Sequence, residues 1–267
     1  MSRLIYALAD GSVVAKRNVI KIKRVPEVLV WVLLSPIMFV LLFAYVFGSA
    51  IEVPGVNYRE FLIAGIFAQT VVFGATYTGA SLAEDMQKGI IDRFRSLPMA
   101  HSAVLIGRTA SDIIYNVLSL TIMGLTGLLV GWRIRSSILD AIAGFLLLLL
   151  FSYAISWLFA LVGLLVPSPE VVNNASFMVI MPLTFISNAF VPIEGFPTPL
   201  RVFAEWNPVS AVTQASRVLF GNTNPMAPVP DAWSMQHPVL YSLIWIGILL
   251  LVFVPLSVAR YKRTASR

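Results

Sequence analysis

The sequence has no cysteine among its 267 residues, so neither a disulfide framework nor a thiolate metal site is open to it. It is also poor in charge. Asp, Glu, Lys and Arg make up 12% of the chain, where an ordinary soluble domain carries roughly a quarter, and this argues against a water-soluble fold. Its two histidines, His101 and His237, are far apart and lack metal-ligand spacing. No Gly-Lys dipeptide occurs, so there is no Walker A loop to cradle a nucleotide phosphate, and no Gly-x-Gly occurs, which removes the dinucleotide fingerprint. Internal repeats and low-complexity stretches are missing as well.

What is present is apolar: 58% of the residues, gathered into uncharged runs at Val28 to Phe47, Phe61 to Ala83, Ile113 to Trp132, Ala141 to Val166, Val171 to Ile193 and Gln236 to Ala259. Each run reaches about the 20 residues that ~30 Å of hydrocarbon requires at 1.5 Å per residue. The expectation is an all-α integral membrane protein with six transmembrane helices. Only Pro167-Ser168-Pro169-Glu170 separates the fourth run from the fifth, and two prolines with a glutamate favour a tight turn over a kink. The first run is read as a retained span, because its basic leader and apolar core are both longer than those of a signal peptide.

The net charge of +6 is carried mostly by patches flanking these runs. Lys and Arg number six up to Glu27, four in the loop after the second run, none in the short turn after the fourth and four after Ala259, against five in the other three loops together. The positive-inside rule then places the N-terminus, the second loop and the C-terminus in the cytoplasm, with the basic groups facing anionic lipid rather than nucleic acid. The chain divides into a cytoplasmic N-terminal segment at 1–27, a six-helix transmembrane domain at 28–259 and a cytoplasmic tail at 260–267.

Three segments outside the runs are patterned. In the leader, Leu4, Ile5, Leu8, Val19, Ile20 and Ile22 alternate with Lys16, Arg17, Lys21, Lys23 and Arg24, as in an amphipathic surface helix; a solvated basic tail reads equally well. In the second loop, Met86, Ile90, Ile91, Phe94 and Leu97 recur at helical spacing until Pro98, which predicts a short amphipathic helix that either lies on lipid or docks a partner. The loop from Pro192 to Met235 carries Leu200, Val202, Phe203 and Trp206, an Asn207-Pro208 break, then Val212, Ala215 and Leu219 on one face. Two short re-entrant helices in the outer leaflet, or a plain surface cap, fit that pattern.

None of the six runs holds Asp, Glu, Lys or Arg, His237 stands at the very start of the sixth, and Asp112, Asp140 and Glu170 are expected at span ends within reach of water. A proton relay or carboxylate sodium site therefore lacks its main component. An ion-coupled transporter or channel, or an enzyme acting on lipid, is correspondingly disfavoured, and active transport would need an outside ATPase. Uncharged polar groups do occur in the runs: Gln69, Thr70, Thr76, Tyr77, Thr78, Asn116, Asn173, Asn174, Thr184, Ser187 and Asn188. They either hydrogen-bond between helices or line a cavity for amphiphiles.

The stretch from Glu84 to Met99, Glu-Asp-Met-Gln-Lys-Gly-Ile-Ile-Asp-Arg-Phe-Arg-Ser-Leu-Pro-Met, resembles the cytoplasmic signature of type-2 ATP-binding-cassette (ABC) exporter permeases of the daunorubicin-resistance, drug-efflux type. Phe190-Val191-Pro192-Ile193-Glu194-Gly195-Phe196-Pro197 and Asn207-Pro208-Val209-Ser210 resemble their external motifs, although Gly89-Ile90-Ile91 stands where Gly-Thr-Leu is commoner. The resemblance implies a multi-pass permease in the plasma membrane that moves an amphiphilic or hydrophobic compound, an antibiotic or a lipid, outward. It implies pairing with a second permease subunit, the same or different, and with two separate ABC ATPase subunits that bind the ATP and Mg; this chain would hold no cofactor of its own. By the same resemblance the second-loop helix is the coupling helix, with Glu84, Lys88, Gly89, Ile90, Ile91, Asp92, Arg93, Phe94, Arg95 and Pro98 as its working residues. Spans two and five would line the path, making Gln69, Tyr77, Asn174 and Asn188 candidates for substrate contact.

Overall fold

The computed structural model describes residues 34, 37–48, 51, 53, 55–91, 103–166, 168–224 and 230–264. Among them no strand occurs. The elements run α1 (Ile37–Val46), which passes into a π-helical turn at Phe43–Phe47, then α2 (Tyr58–Gln87), α3 (Ala103–Leu129), α4 (Ile138–Leu165) and α5 (Pro169–Phe185). A 3-10 turn at Ile193–Gly195 leads to α6 (Thr198–Trp206), α7 (Pro208–Phe220), α8 (Trp233–Gln236) and α9 (Pro238–Thr264). The N-terminal segment 1–27 lies outside the described residues, as does most of the first run before Ile37.

Four helices, α2, α3, α4 and α9, are long and apolar enough to cross a membrane. The outer faces of α4 and α9 remain apolar, with Leu139, Ile142 and Leu146 or Leu243, Ile248 and Leu251 exposed, as a bilayer rather than water requires. α2 is the central helix and packs most extensively on α4, then on α5, α3 and α7. Its small residues permit this. A Cβ on Gly163 of α4 would lie 2.4 Å from the Gly79 carbonyl oxygen of α2, and one on Gly65 would lie 1.9 Å from the carbonyl oxygen of Ala189, so backbone touches backbone at both places.

Two expectations need correction. The fifth run, Val171 to Ile193, is not one continuous helix: α5 stops after 17 residues at Phe185, with Pro182 in its last turn, and Ser187 to Phe190 form a buried non-helical turn. The sixth run is likewise divided at His237, between α8 and α9, and α9 continues beyond Ala259 into what was read as the tail. The predicted turn between the fourth and fifth runs is present, since α4 ends at Leu165 and α5 begins at Pro169 behind a Ser168 cap whose hydroxyl accepts from the Val171 N–H.

Gly163→Val should therefore push α2 and α4 apart and destabilise the fold by roughly 1–3 kcal/mol or more. Gly247→Ala, where a Cβ would meet nothing within 4 Å, should be neutral. Thermal denaturation of the two detergent-purified variants would check this; similar melting points would refute the close approach.

Candidate functional site

At one end of the bundle, α2 terminates in a tight reversal. The Lys88 N–H donates to the Glu84 carbonyl at 3.0 Å and the Gly89 N–H to the Met86 carbonyl at 3.1 Å, while Gly89 takes a left-handed φ of +64°. A Cβ at Gly89 would meet nothing within 4 Å, so it is the backbone conformation and not space that favours glycine here. Helix resumes at once with Ile90 and Ile91. On the exposed side Lys88 pairs with Glu84, and that hydrogen bond and charge raise the Lys88 ammonium above its ordinary pKa. Asp92, Arg93, Phe94, Arg95 and Pro98 lie outside the described residues.

Ile91 is 2% exposed. It belongs to a cluster with Leu82 of α2, Leu105 of α3, Trp157, Ala160 and Leu164 of α4 and Tyr261 of α9. The helical spacing had put Ile90, Ile91 and Phe94 on one outward-facing stripe; instead the Ile91 side chain is spent inside the chain, as a peg joining the segment after Gly89 to four long helices, and Ile90 is half-buried.

Above this peg the interior is charged, against expectation. Asp112 is 5% exposed and not at a watered span end, because α3 starts at Ala103 and carries both Arg108 and Asp112 before its uncharged run begins. The Thr78 hydroxyl of α2 donates to Asp112, and Arg108 Nε lies 4.0 Å from the same carboxylate. The Arg108 guanidinium also sits 5.1 Å from the centre of the Tyr77 ring, and Tyr77 stacks on Tyr115 at 5.9 Å. Asn116 Nδ2 donates to the Asp112 carbonyl at 2.8 Å. Paired charges are how ionisable groups persist at such depth. Here both charges stand on α3, and the Thr78 hydroxyl and the Tyr77 ring of α2 fasten that helix to them.

The four path candidates do not form one site. Gln69 is buried within α2, Tyr77 is engaged as above, and Asn174 is exposed near the start of α5. Asn188 lies beyond the other end of α5, roughly 20 Å away at 1.5 Å per helical residue, where its amide donates to Gln214 Oε1 at 3.3 Å.

That opposite end is a cap of irregular chain held by Asn207, already marked by the sequence as a helix break, and by Arg217, Arg135 and Glu60, which the sequence pattern did not single out. Asn207 Nδ2 donates to the Leu183 and Ile186 carbonyls at 2.6 and 2.9 Å. Buried Arg217 donates to the carbonyls of Phe61 at 2.9 Å, Asn188 at 2.7 Å and Ala189 at 3.2 Å, with its guanidinium carbon 3.5 Å from the Phe61 ring centre. Arg135 grips Glu60 through two nitrogens, the shortest contact 2.7 Å. The two helices foreseen in the Pro192 to Met235 loop are α6 and α7, broken at Asn207-Pro208 as expected. Among the described residues no group of three or more acidic or histidine side chains is placed to hold a metal.

Long apolar helices closed at one end by a helix-to-helix reversal and at the other by a hydrogen-bonded cap define a multi-pass membrane protein. Residues 11–220 match the family described as ABC-2 type transporter, and the chain belongs to that family. It is 34% identical over 246 residues to the daunorubicin resistance ABC transporter permease protein DrrB1 of Streptomyces coeruleorubidus, covering 92% of this chain and 83% of that protein. It is also similar to the putative transport permease ycf38 of Cyanophora paradoxa, 24% identical over 223 residues with coverage of 82% and 77%. A probable doxorubicin resistance ABC transporter permease protein, DrrC of Mycobacterium tuberculosis, is 23% identical over 233 residues with coverage of 86% and 80%. The chain is thus a transmembrane permease subunit of an ABC exporter, and membership of the family implies an ABC ATPase as partner.

Removing one member of the buried pair should be costly. Asp112→Ala leaves the Arg108 charge unpaired and is expected to lose about 3–5 kcal/mol, whereas the double change Arg108→Met with Asp112→Leu should be close to neutral for folding. Melting curves of the single and double variants would check this; equal losses would mean the pair does not form.

Proposed function

We propose that this permease exports an amphiphilic or hydrophobic compound, an antibiotic, drug or lipid, using ATP hydrolysed by two separate ATPase subunits bound below a pair of permease subunits. The observation that carries the reading is the reversal at Gly89, whose following segment joins, through Ile91, a buried cluster shared by α2, α3, α4 and α9, so that a push there reaches those four long helices. Six crossings complete the topology, with α1 and α5 as the first and fifth and the buried turn after Phe185 finishing the fifth crossing. The N- and C-termini and the Gly89 end face the cytoplasm, α6 and α7 sit in the outer leaflet, and the N-terminal segment 1–27 lies along the inner surface beside the coupling helix. The plasma membrane is the site of action. The names of two relatives, a daunorubicin resistance and a probable doxorubicin resistance permease protein, favour an amphiphilic drug as the class of cargo.

On this reading Glu84, Lys88, Gly89 and Ile90, with Asp92, Arg93, Phe94, Arg95 and Pro98 beyond them, form the coupling element. Ile90 and Phe94 supply the apolar contact to the ATPase, the charged groups set its register and Ile91 anchors the element from behind. Gln69, Tyr77, Asn174 and Asn188 remain the residues of spans two and five proposed to meet cargo. ATP and Mg belong to the partner ATPase.

The double variant Ile90→Asp with Phe94→Asp should insert normally yet fail to retain the ATPase on gentle purification, and transport should be lost. Ile91→Asp should instead lower the melting temperature of the permease itself, because it buries an unpaired carboxylate. Normal co-purification and export by the double variant would sink the coupling assignment.

A further inference from the structure

An apolar groove of about 320 Å³ runs between α3 and α4 in the half of the bundle nearest the cap. Its walls are Val117, Leu125 and Leu128 of α3 and Phe145 and Leu149 of α4, and Trp132 closes it at the cap end. The volume is roughly double the ~150 Å³ of an apolar cavity that accepts one benzene, so it suits an alkyl chain better than a single ring. Val117, Leu125 and Leu128 are all exposed, which opens the groove sideways onto the surrounding hydrocarbon.

Apolar fit alone selects no particular lipid, since acyl tails are as apolar as the leucines that line the groove. The selecting group stands at its closed end. Arg133 is exposed, and its Nη1 donates to the carbonyls of Leu128 at 2.6 Å and Trp132 at 2.8 Å, which pins the guanidinium beside two of the residues that line the groove. Among the described residues Arg133 forms no ion pair, whereas its neighbour Arg135 spends its charge on Glu60. A fixed cation just past the end of α3, beside an apolar groove open to hydrocarbon, is complementary to an anionic headgroup attached to an acyl tail.

We propose that this groove binds one acyl chain of an anionic phospholipid from the leaflet on the cap side, with the lipid phosphate on Arg133. The site depends only on the chain being embedded in a bilayer, so it stands or falls separately from the choice of cargo and from ATPase coupling.

The test uses the full-length chain, with its accompanying subunits, in phosphatidylcholine nanodiscs containing phosphatidylglycerol with a photoactivatable acyl chain. Labelling should concentrate on residues 117–128 and 145–149. Phosphatidylcholine with the same labelled chain should mark these residues weakly, and Arg133→Gln should reduce phosphatidylglycerol labelling roughly fivefold. Thr121→Phe, which fills the groove from its open side, should remove the labelling by either lipid without changing the melting temperature. Equal labelling by the two lipids, labelling that survives both substitutions, or label spread evenly over the helices would overturn the proposal. Cross-links from the groove to a second copy of the chain or to its own first span would overturn it as well.

Discussion

Arg217 holds together the part of the fold that a membrane tolerates least. A helix that stops within or near hydrocarbon leaves carbonyls without partners, and each unsatisfied group there costs several kcal/mol. α5 stops in this way at Phe185, and the turn after it is buried. The Arg217 guanidinium, with five donors in a fixed fork, takes the Asn188 and Ala189 carbonyls of that turn and the Phe61 carbonyl of α2 together. Asn207 takes two more from the end of α5, and the Asn188 N–H donates to the Ser210 hydroxyl at 3.1 Å. α7 exists, in this sense, to carry these donors. Its own C-terminus is satisfied in turn, because the Arg135 N–H and the Ser136 hydroxyl donate to the carbonyls of Phe220 and Leu219 at 2.9 and 2.6 Å.

The close approach of Gly65 to Ala189 belongs to the same arrangement. The turn after α5 can lie against α2 only where α2 lacks a side chain, and Tyr58, the first residue of α2, then reaches the Phe190 carbonyl at 3.1 Å. Phe190 also stacks on Phe43 of α1 at 4.8 Å, so one non-helical turn joins α1, α2, α5 and α7. Small residues in α2 serve both ends of the bundle: Gly65 admits the cap turn, and Gly79 admits α4 near the charged cluster.

The long helices could be read from the sequence because the period and length of an apolar run depend on local composition alone; α2, α3, α4 and α9 lie where uncharged runs lie. The break at Asn207-Pro208 was legible for the same reason, as Asn caps and Pro starts a helix. The end of α5 was not. The residues that follow Phe185 fall within an uncharged run of span length, and the carbonyls freed at the helix end are taken by donors on α7 and its cap residue Asn207, more than twenty positions away. The depth of Asp112 was lost by measuring a helix from its first uncharged stretch, although Arg108 and Asp112 stand four apart and so share one helical face. Ile91 shows the remaining limit. Helical spacing finds the apolar stripe of the second loop, but only the backbone reversal at Gly89 decides which of its members turns back into the bundle.

These contacts bear on how movement could pass through the permease. If the segment after Gly89 receives the motion of an ATPase, it cannot swing freely at its root, because Ile91 is wedged among four helices and Thr78, Arg108 and Asp112 bind α2 to α3 further along. The α2–α3 hairpin would then move as one lever. At the far end, Arg217 and Tyr58 hold α2 to the turn after α5, and Arg59 Nη1 donates to the Val130 carbonyl of the α3 terminus at 2.9 Å. A lever stiff along its length and tied by hydrogen bonds at the cap is displaced most at its Gly89 end. The exposed stretch of α5 that carries Asn174 and Met178 lies opposite the buried Val172, Ser176 and Ile180, so it is the face on which such displacement would be felt by whatever adjoins it. The buried carboxylate of α3 then contributes rigidity: a hydrogen bond to it from the Thr78 hydroxyl of the neighbouring helix resists sliding in a way that apolar contacts between two helices in lipid do not.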